Sequence, residues 1–327
     1  MAGTSPATTA GKWFNMTGTR ASYIETVAEI TAAYRTGAAT PPDIVARSYA
    51  RMRALNDPAI FISVLDEEDA LAEARALEAN SDRNLLLFGI PLAVKDNIDA
   101  RGFATTAACP DFAYRPAGDA NAVARLRQAG AIIIGKTNLD QFATGLVGVR
   151  SPYGVPRNPL DQKLIPGGSS SGSAVAVATG IVPAALGTDT AGSGRVPALF
   201  NNIVGLKPSL GLVSTVGVMP ACRTLDCVSV FAHTTDDCSA VLAVMAGFDD
   251  NDPYARRRPL QSPGAPPTVR LGVPQPGQRI FFGDRRAATD YTQALDRLAR
   301  LGAVIIDILS CNNASTRCHG VARYRRL

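Results

Sequence analysis

Histidine is nearly absent from this 327-residue chain, which has only His233 and His319. Neither lies next to a carboxylate or the other histidine at metal-ligand spacing, so no zinc site or other metal is expected. A Ser-His-Asp triad would need one of these two. His233 follows the apolar stretch Val228 to Ala232 and reads as a core or strand-end histidine, so any nucleophile here needs a different base. Long apolar runs are missing as well. Stretches such as Leu85 to Phe88 and Ala131 to Ile134 are far too short for a bilayer, and no membrane is expected as a partner. The six cysteines, Cys109, Cys222, Cys227, Cys238, Cys311 and Cys318, contain no C-x-x-C pair, and a chain of this length needs no disulfide to hold a core. A reducing cytoplasm is the default expectation. Basic clustering is lacking too: the net charge is +5, but the lysines and arginines are dispersed except for Arg256 to Arg258 in a proline-flanked loop. That triplet is expected to be solvated surface, and nucleic acid is not expected.

What is present is a globular composition, 46% hydrophobic and 19% charged, long enough for one large domain or two ordinary ones. Residues 1–19 are small and polar, lack the apolar core of a secretory signal, and are expected to form a disordered leader. Apolar residues at Ile24, Val27, Ile30 and Ala33 align one helical face over Ala21 to Arg35, and Thr40-Pro41-Pro42-Asp43 predicts a capped second helix. Phe61 to Leu65 precedes Asp66, a candidate cap for a helix running to about Glu78. Strand and helix then alternate: strand Ile90 to Val94, capped helix Asp119 to Gln128, strand Ala131 to Ile134, helix start Thr137 to Phe142, helix Ser173 to Thr179, strand Ala184 to Gly187 and helix Thr235 to Met245. Thr268 to Val273, Ala287 to Arg300 and Val304 to Ile308 predict a further strand, helix and strand. This pattern implies an α/β sheet covered on both faces. Pro253 to Gln278 is expected to be a surface excursion and not a domain linker.

Three segments carry chemistry. In Gly89-Ile90-Pro91-Leu92-Ala93-Val94-Lys95-Asp96-Asn97 a lysine ends an apolar strand. Alone, such a lysine emerges into solvent; within an active site, desolvation favours its neutral form, which accepts a proton. The second segment, Pro166-Gly167-Gly168-Ser169-Ser170-Ser171-Gly172-Ser173, runs into the small apolar stretch Ala174 to Ala178. A flexible linker is the bland alternative, and a phosphate loop the competing one, although the lysine of G-x-x-x-x-G-K-[ST] is missing. The third, Gly187-Thr188-Asp189-Thr190-Ala191-Gly192-Ser193-Gly194-Arg195-Val196-Pro197, reads as a strand entering a turn of tiny residues. Either it is an ordinary turn, or it presents Ser193 to a carbonyl with the amides of Thr190, Ala191, Gly192 and Ser193 as oxyanion donors.

With Gly135-Lys136-Thr137-Asn138-Leu139-Asp140 and Gly205-Leu206-Lys207-Pro208, these segments resemble the amidase signature family over about residues 20 to 309, and in the family's order. The resemblance implies an α/β amidase-signature fold: a large mixed, twisted β-sheet flanked by helices on both faces. It also implies a Ser-cisSer-Lys triad in which Ser193 is the nucleophile, Ser169 the bridging serine and Lys95 the base. Ser170, Asp189 and Arg195 are implied as supporting residues, with an ion pair expected between the last two. No cofactor is implied. Where the family commonly shows T-D-x-G-G-S-[IV]-R, this chain has Ala191 before Gly192 and Gly194 after Ser193, which resembles the allophanate hydrolase branch. So do the stretches Asp140 to Gly148, Arg150 to Gly154 and Cys222 to Phe231.

That branch implies a small anionic amide substrate, allophanate (urea-1-carboxylate), with Gly145, Tyr153, Arg223 and Arg323 as pocket residues. Residues 310–327 depart from the branch's tyrosine- and arginine-bearing segment. They are expected to be an aberrant tail on a sheet left incomplete at its C-terminus. The alternatives are an amidase subunit of a tRNA-dependent amidotransferase, a general amidase, or an inactive remnant that only binds. A homodimer is left open as the assembly.

Overall fold

The computed structural model describes residues 25–80, 82–257 and 268–308. The expected leader, the expected tail with Arg323, and part of the expected proline-rich excursion lie outside them. The chain divides into two compact units, Met1–Leu260 and Gln261–Leu327, so the division falls within the segment expected to be a mere excursion.

In the first unit, helices α1 (Val27–Thr36) and α2 (Pro41–Leu55) each begin with a capping box, Thr26 with Glu29 and Thr40 with Asp43. Then follow β1 (Phe61–Val64), α3 (Glu67–Asn80), β2 (Pro91–Lys95), α4 (Asn121–Gln128), β3 (Ile132–Thr137), α5 (Ser171–Ala178), β4 (Ala184–Thr188), α6 (Arg195–Phe200), β5 (Val204–Leu206), β6 (Val228–Ala232) and α7 (Thr235–Met245). Two expectations fail locally. Thr137 to Phe142 starts no helix: β3 runs on through Thr137, whose side chain joins Ser173 at 2.6 Å, and only a short 3₁₀ turn forms over Gln141–Ala143. Asp119 does not cap α4; its carboxylate accepts the Arg101 N–H at 2.7 Å, and Ala120 takes the cap position without a side-chain bond.

The six strands form one mixed sheet in the order β1-β3-β2-β4-β6-β5. The central strands β3, β2 and β4 run parallel, while β1, β6 and β5 pair antiparallel with their neighbours. Every residue of β2, β3, β4 and β6 is buried. Side chains alternate between two cores, as the pleat requires. Leu92, Val94, Ile133, Leu186, Val228 and Val230 face the layer holding α1, α4 and α7. Ala93, Ile132, Ile134, Ala185 and Phe231 face the layer holding α2, α3 and α5.

The second core is built for close approach. Helix α5 reads Ser-Gly-Ser-Ala-Val-Ala-Val-Ala, and it lies over Ala93 and Ala185. With small residues on both sides the helix sits deep on the sheet, which brings its N-terminus to the carboxyl ends of β2 and β4. In open α/β sheets the crevice beyond those ends is where ligands bind.

The second unit, described by itself, is a strand–helix–strand element. Strands β7 (Arg270–Pro274) and β8 (Val304–Ile308) pair in parallel, joined through α8 (Arg285–Arg300), which Asp284 caps by accepting the Ala287 N–H at 2.9 Å.

The tightest junction under α5 is Gly172. A methyl group there would come within 2.2 Å of Ile60 O and 2.6 Å of Asn138 N. Glycine to alanine within a helix ordinarily stabilises by about 0.5–1 kcal/mol, but overpacking against rigid backbone outweighs that gain. Gly172→Ala is therefore expected to destabilise by about 2 kcal/mol, seen as a lowered midpoint in urea denaturation; an unchanged or raised midpoint would contradict this packing.

Candidate active site

Lys95 is the last residue of β2, and its side chain shares a face with Ala93, under α5. It has no exposed surface. Its Nζ donates to Ser169 Oγ at 2.7 Å and to Thr188 Oγ1 at 2.8 Å. Burial lowers its pKa to about 7 against the raising pull of Asp140, Asp189 and Asp226. The N-terminus of α5 adds to the same effect, since its partial positive charge disfavours an ammonium nearby. A buried amine at the edge of neutrality can take up a proton near pH 7.

Ser169 stands just before α5, and the Gly168–Ser169 peptide bond is cis, as the family resemblance implied. Ser170 follows at the helix cap; its hydroxyl donates to Thr188 O at 3.2 Å and accepts the Thr188 N–H at 3.4 Å, fastening the helix start to the end of β4.

From β4 the chain enters the turn that carries Ser193, which is 4% exposed. Asp189 organises this turn. Its carboxylate accepts N–H groups from Gly192 at 2.8 Å and Gly194 at 3.1 Å, and it forms the expected ion pair with Arg195, bidentate at 2.9 and 3.1 Å. Burial alone would raise the Asp189 carboxyl, but the guanidinium and the two amides outweigh it and hold it below the usual carboxylate range.

This arrangement corrects one expected donor: the Gly192 N–H is committed to Asp189 and is not available to an oxyanion. The N–H groups of Thr190, Ala191 and Ser193 have no acceptor among the described residues. The hydroxyl of Ser193 likewise has no hydrogen-bond partner there: Lys95 and Ser169 are in direct contact, and no hydrogen bond joins Ser193 to that pair.

The expected pocket residues are placed unevenly. Gly145 presses on Asp140, where a methyl group would come within 2.6 Å of Oδ2. Tyr153 packs against the small cluster Ala108, Leu139 and Ala143. Arg223 is exposed in the turn that precedes Asp226, and Asp226 bonds the Thr190 hydroxyl, which ties that turn to the nucleophile segment. His233 follows the last residue of β6, beside the start of β4, at the opposite end of the strands from Thr188. It bonds Val177 O at 2.7 Å there, and burial lowers its pKa, as suits a core histidine.

Sequence reasoning missed Thr188 and Asn97. Thr188 is the second acceptor of the Lys95 amine, and Asn97 Nδ2 donates to Thr188 Oγ1 at 3.4 Å and to Met219 O at 3.2 Å. Both lie inside the quoted segments, but only the pairing of strands shows that the hydroxyl of one strand end meets the amine of the next.

Comparison with known proteins agrees with this geometry. The family model described as Amidase matches residues 43–316. A urea amidolyase of Lachancea kluyveri is 50% identical over 257 residues, which are 77% of this chain and 14% of that protein. A glutamyl-tRNA(Gln) amidotransferase subunit from Azoarcus is 42% identical over 266 residues, 76% of this chain and 53% of that one. A selenomethionine-substituted allophanate hydrolase of Kluyveromyces lactis superposes with a TM-score of 0.79 at 43% identity, covering 87% of this chain and 47% of that structure. The chain thus spans about half or less of each of these relatives. The match over most of its length, on the expected mixed sheet, shows that this chain belongs to the amidase family.

Proposed function

We propose that this chain hydrolyses an amide through an acyl-enzyme on Ser193, with Lys95 as the base and Ser169 as the bridging hydroxyl, and that the amide is allophanate. The observation that carries the reading is the fully buried Lys95 amine at 2.7 Å from Ser169 Oγ.

In the structure the amine donates to both Ser169 Oγ and Thr188 Oγ1; for the transfer the neutral amine keeps an N–H on Thr188 and turns its lone pair to Ser169, whose hydroxyl then donates. With substrate bringing Ser193 Oγ within hydrogen-bond reach of Ser169, the Ser193 proton passes to Ser169 Oγ as Ser193 attacks the carbonyl, and that of Ser169 passes to Lys95. The oxyanion forms against the unsatisfied N–H groups of Thr190, Ala191 and Ser193. One such donor is worth roughly 3–4 kcal/mol in comparable sites, comparable to a side chain of the machinery. The protons return along the same route to the leaving nitrogen, ammonia departs, and water opens the acyl-enzyme by the reverse relay. The Asp189–Arg195 pair acts on the turn and not on the substrate, since both carboxylate oxygens are filled from within the chain.

The choice of allophanate rests on the urea amidolyase and allophanate hydrolase relatives and on Gly194, the departure from the common family pattern. A methyl group at Gly194 would meet Ser229 Oγ at 2.6 Å, Ser229 Cβ at 2.8 Å and Asp189 Cβ at 3.1 Å, so the glycine is matched to Ser229 on β6. Arg223, exposed on the turn tied to Thr190, supplies a cation for the substrate's carboxylate. The described cysteines, Cys109, Cys222, Cys227 and Cys238, are free, in keeping with a reducing cytoplasm. A second reading, the amidase subunit of a tRNA-dependent amidotransferase, is favoured by the Azoarcus relative.

Three measurements test the proposal. Ammonia release from allophanate, glutamine and simple amides separates the two readings; allophanate is expected to be preferred, and Ser193→Ala to lower the rate by at least about 10⁴-fold. Because only the neutral amine accepts a proton, kcat/KM is expected to rise with pH through an inflection near the Lys95 pKa of about 7, falling about tenfold per unit below it. A profile flat from pH 5 to 9 would remove Lys95 as the base. Gly194→Val is expected to destabilise by about 1–3 kcal/mol through overpacking, and Ser229→Gly in the same chain to restore part of the thermal midpoint.

A further inference from the structure

Three buried carboxylates act on Lys95 by charge, and each gathers the N–H groups of a different loop. Asp189, after β4, holds Gly192 and Gly194. Asp226, before β6, holds Ala221 and Cys222 and accepts the Thr190 hydroxyl. Asp140, after β3, accepts the Gly148 N–H on Oδ2 at 3.0 Å and the Arg150 N–H on Oδ1 at 2.9 Å. Its own N–H donates to Ser169 O at 3.0 Å. The mechanism proposed above makes no use of Asp140.

Two glycines enclose its carboxylate. A methyl group would stand 2.2 Å from Oδ2 if placed at Gly168, the residue before the cis peptide, and 2.6 Å if placed at Gly145. The loop it fastens is joined to the serine segment a second time, by the Gly168 N–H on Leu146 O at 2.9 Å. That loop also reaches the nucleophile turn: the Leu146 side chain lies 3.5 Å from where a methyl group at Gly192 would be. One residue thus joins Ser169 through its N–H, the loop over residues 144–150 through its carboxylate and, by way of Leu146, the turn of Ser193.

Charge distinguishes Asp140 from Asp189 and Asp96. Asp189 is neutralised by Arg195, and Asp96, next to Lys95 in sequence, lies 3.3 Å from the buried Lys136 amine. Asp140 has no cation among the described residues; the Arg150 guanidinium turns away to Thr144 O at 3.2 Å. Asp226 is likewise without a cation, and of the three carboxylates Asp140 exerts the strongest pull on Lys95.

We infer that Asp140 is a positioning residue of this active site: its N–H holds Ser169, the bonding partner of the Lys95 amine, its carboxylate fastens the 144–150 loop beside that serine, and its charge, unpaired among the described residues, acts on the amine across this short connection. This rests on the roles given above to Lys95 and Ser193. An aspartate is required because the enclosure leaves no room for glutamate, and asparagine would set an NH₂ group against one of the two N–H donors.

The test reads the reactivity of Ser193 itself and needs no amide substrate. The purified chain is treated with phenylmethylsulfonyl fluoride across pH 5 to 10, and the rate of Ser193 sulfonylation is followed by peptide mass spectrometry. In the unaltered protein the rate is expected to rise with pH to a plateau. Asp140→Asn removes a negative charge, which favours the neutral amine, so the inflection is expected to move down by about half a pH unit or more, with a lowered plateau.

Gly145→Ala displaces the carboxylate but keeps its charge, and is expected to lower the plateau without moving the inflection. An inflection in Asp140→Asn at the unaltered position overturns the inference, as does an equal shift in both variants. Should Asp140→Asn prove unfolded by circular dichroism, the Gly145→Ala plateau decides: a lowered plateau supports the positioning role, and an unaltered one overturns it. Absence of labelling at Ser193 in the unaltered protein is a separate outcome and removes the catalytic reading on which the inference rests.

Discussion

A lysine amine with no contact with water, held between the hydroxyls of Ser169 and Thr188, is the constraint on which the rest of this molecule depends. Burying an ammonium costs several kcal/mol unless it is paired, and among the described residues no carboxylate bonds Lys95 directly. The carboxylates of Asp140, Asp189 and Asp226 are near enough to moderate the cost and too occupied with backbone N–H groups to remove it. The amine is therefore left close to neutral where a fully exposed lysine would be charged. The contrast with Lys136 is instructive: it is also buried and has its pKa lowered by burial, but it lies 3.3 Å from the Asp96 carboxylate and bonds Thr105. One buried lysine is paired as a structural ion, and the other is left among hydroxyls.

Holding an amine in this way needs a rigid frame, and the frame is the sheet. Lys95 ends β2, Thr188 ends the neighbouring parallel strand β4, and Ser169 is delivered from above by a helix whose small residues let it settle on Ala93 and Ala185. Larger residues in α5 would lift the helix and draw Ser169 away from the amine. The loops around the site are closed by buried aspartates that accept two or more backbone N–H groups each. Their walls thus gain stiffness from charge-assisted hydrogen bonds and not from apolar packing.

Much of this was legible along the chain. The short apolar run Ile90 to Val94 predicted the buried strand, and Thr40 with Asp43 predicted the start of α2, because both depend on neighbours a few residues away. The serine and lysine segments stood out because glycine and serine beside apolar strands have few structural uses. Failures came where a distant contact overrode a local preference. Thr137 looked like a helix start, but its hydroxyl is taken by Ser173 and its backbone by the sheet. Asp119 looked like a cap, but the Arg101 N–H claims it.

What the sequence determined by itself is the set of parts: the strands and their buried faces, an amine at a strand end, two serine turns and the residue types able to support them. Tertiary structure decided how the parts are used. The direction of a backbone N–H depends on the turn it sits in, and the carboxylate of Asp189 closes that turn by capturing the Gly192 N–H, while those of Thr190, Ala191 and Ser193 have no acceptor among the described residues. Thr188 against Lys95, Gly194 against Ser229 and Asp140 against Gly168 are meetings across strands and loops distant in sequence. No periodicity or spacing encodes them, because they arise only when the sheet brings those backbones to contact distance.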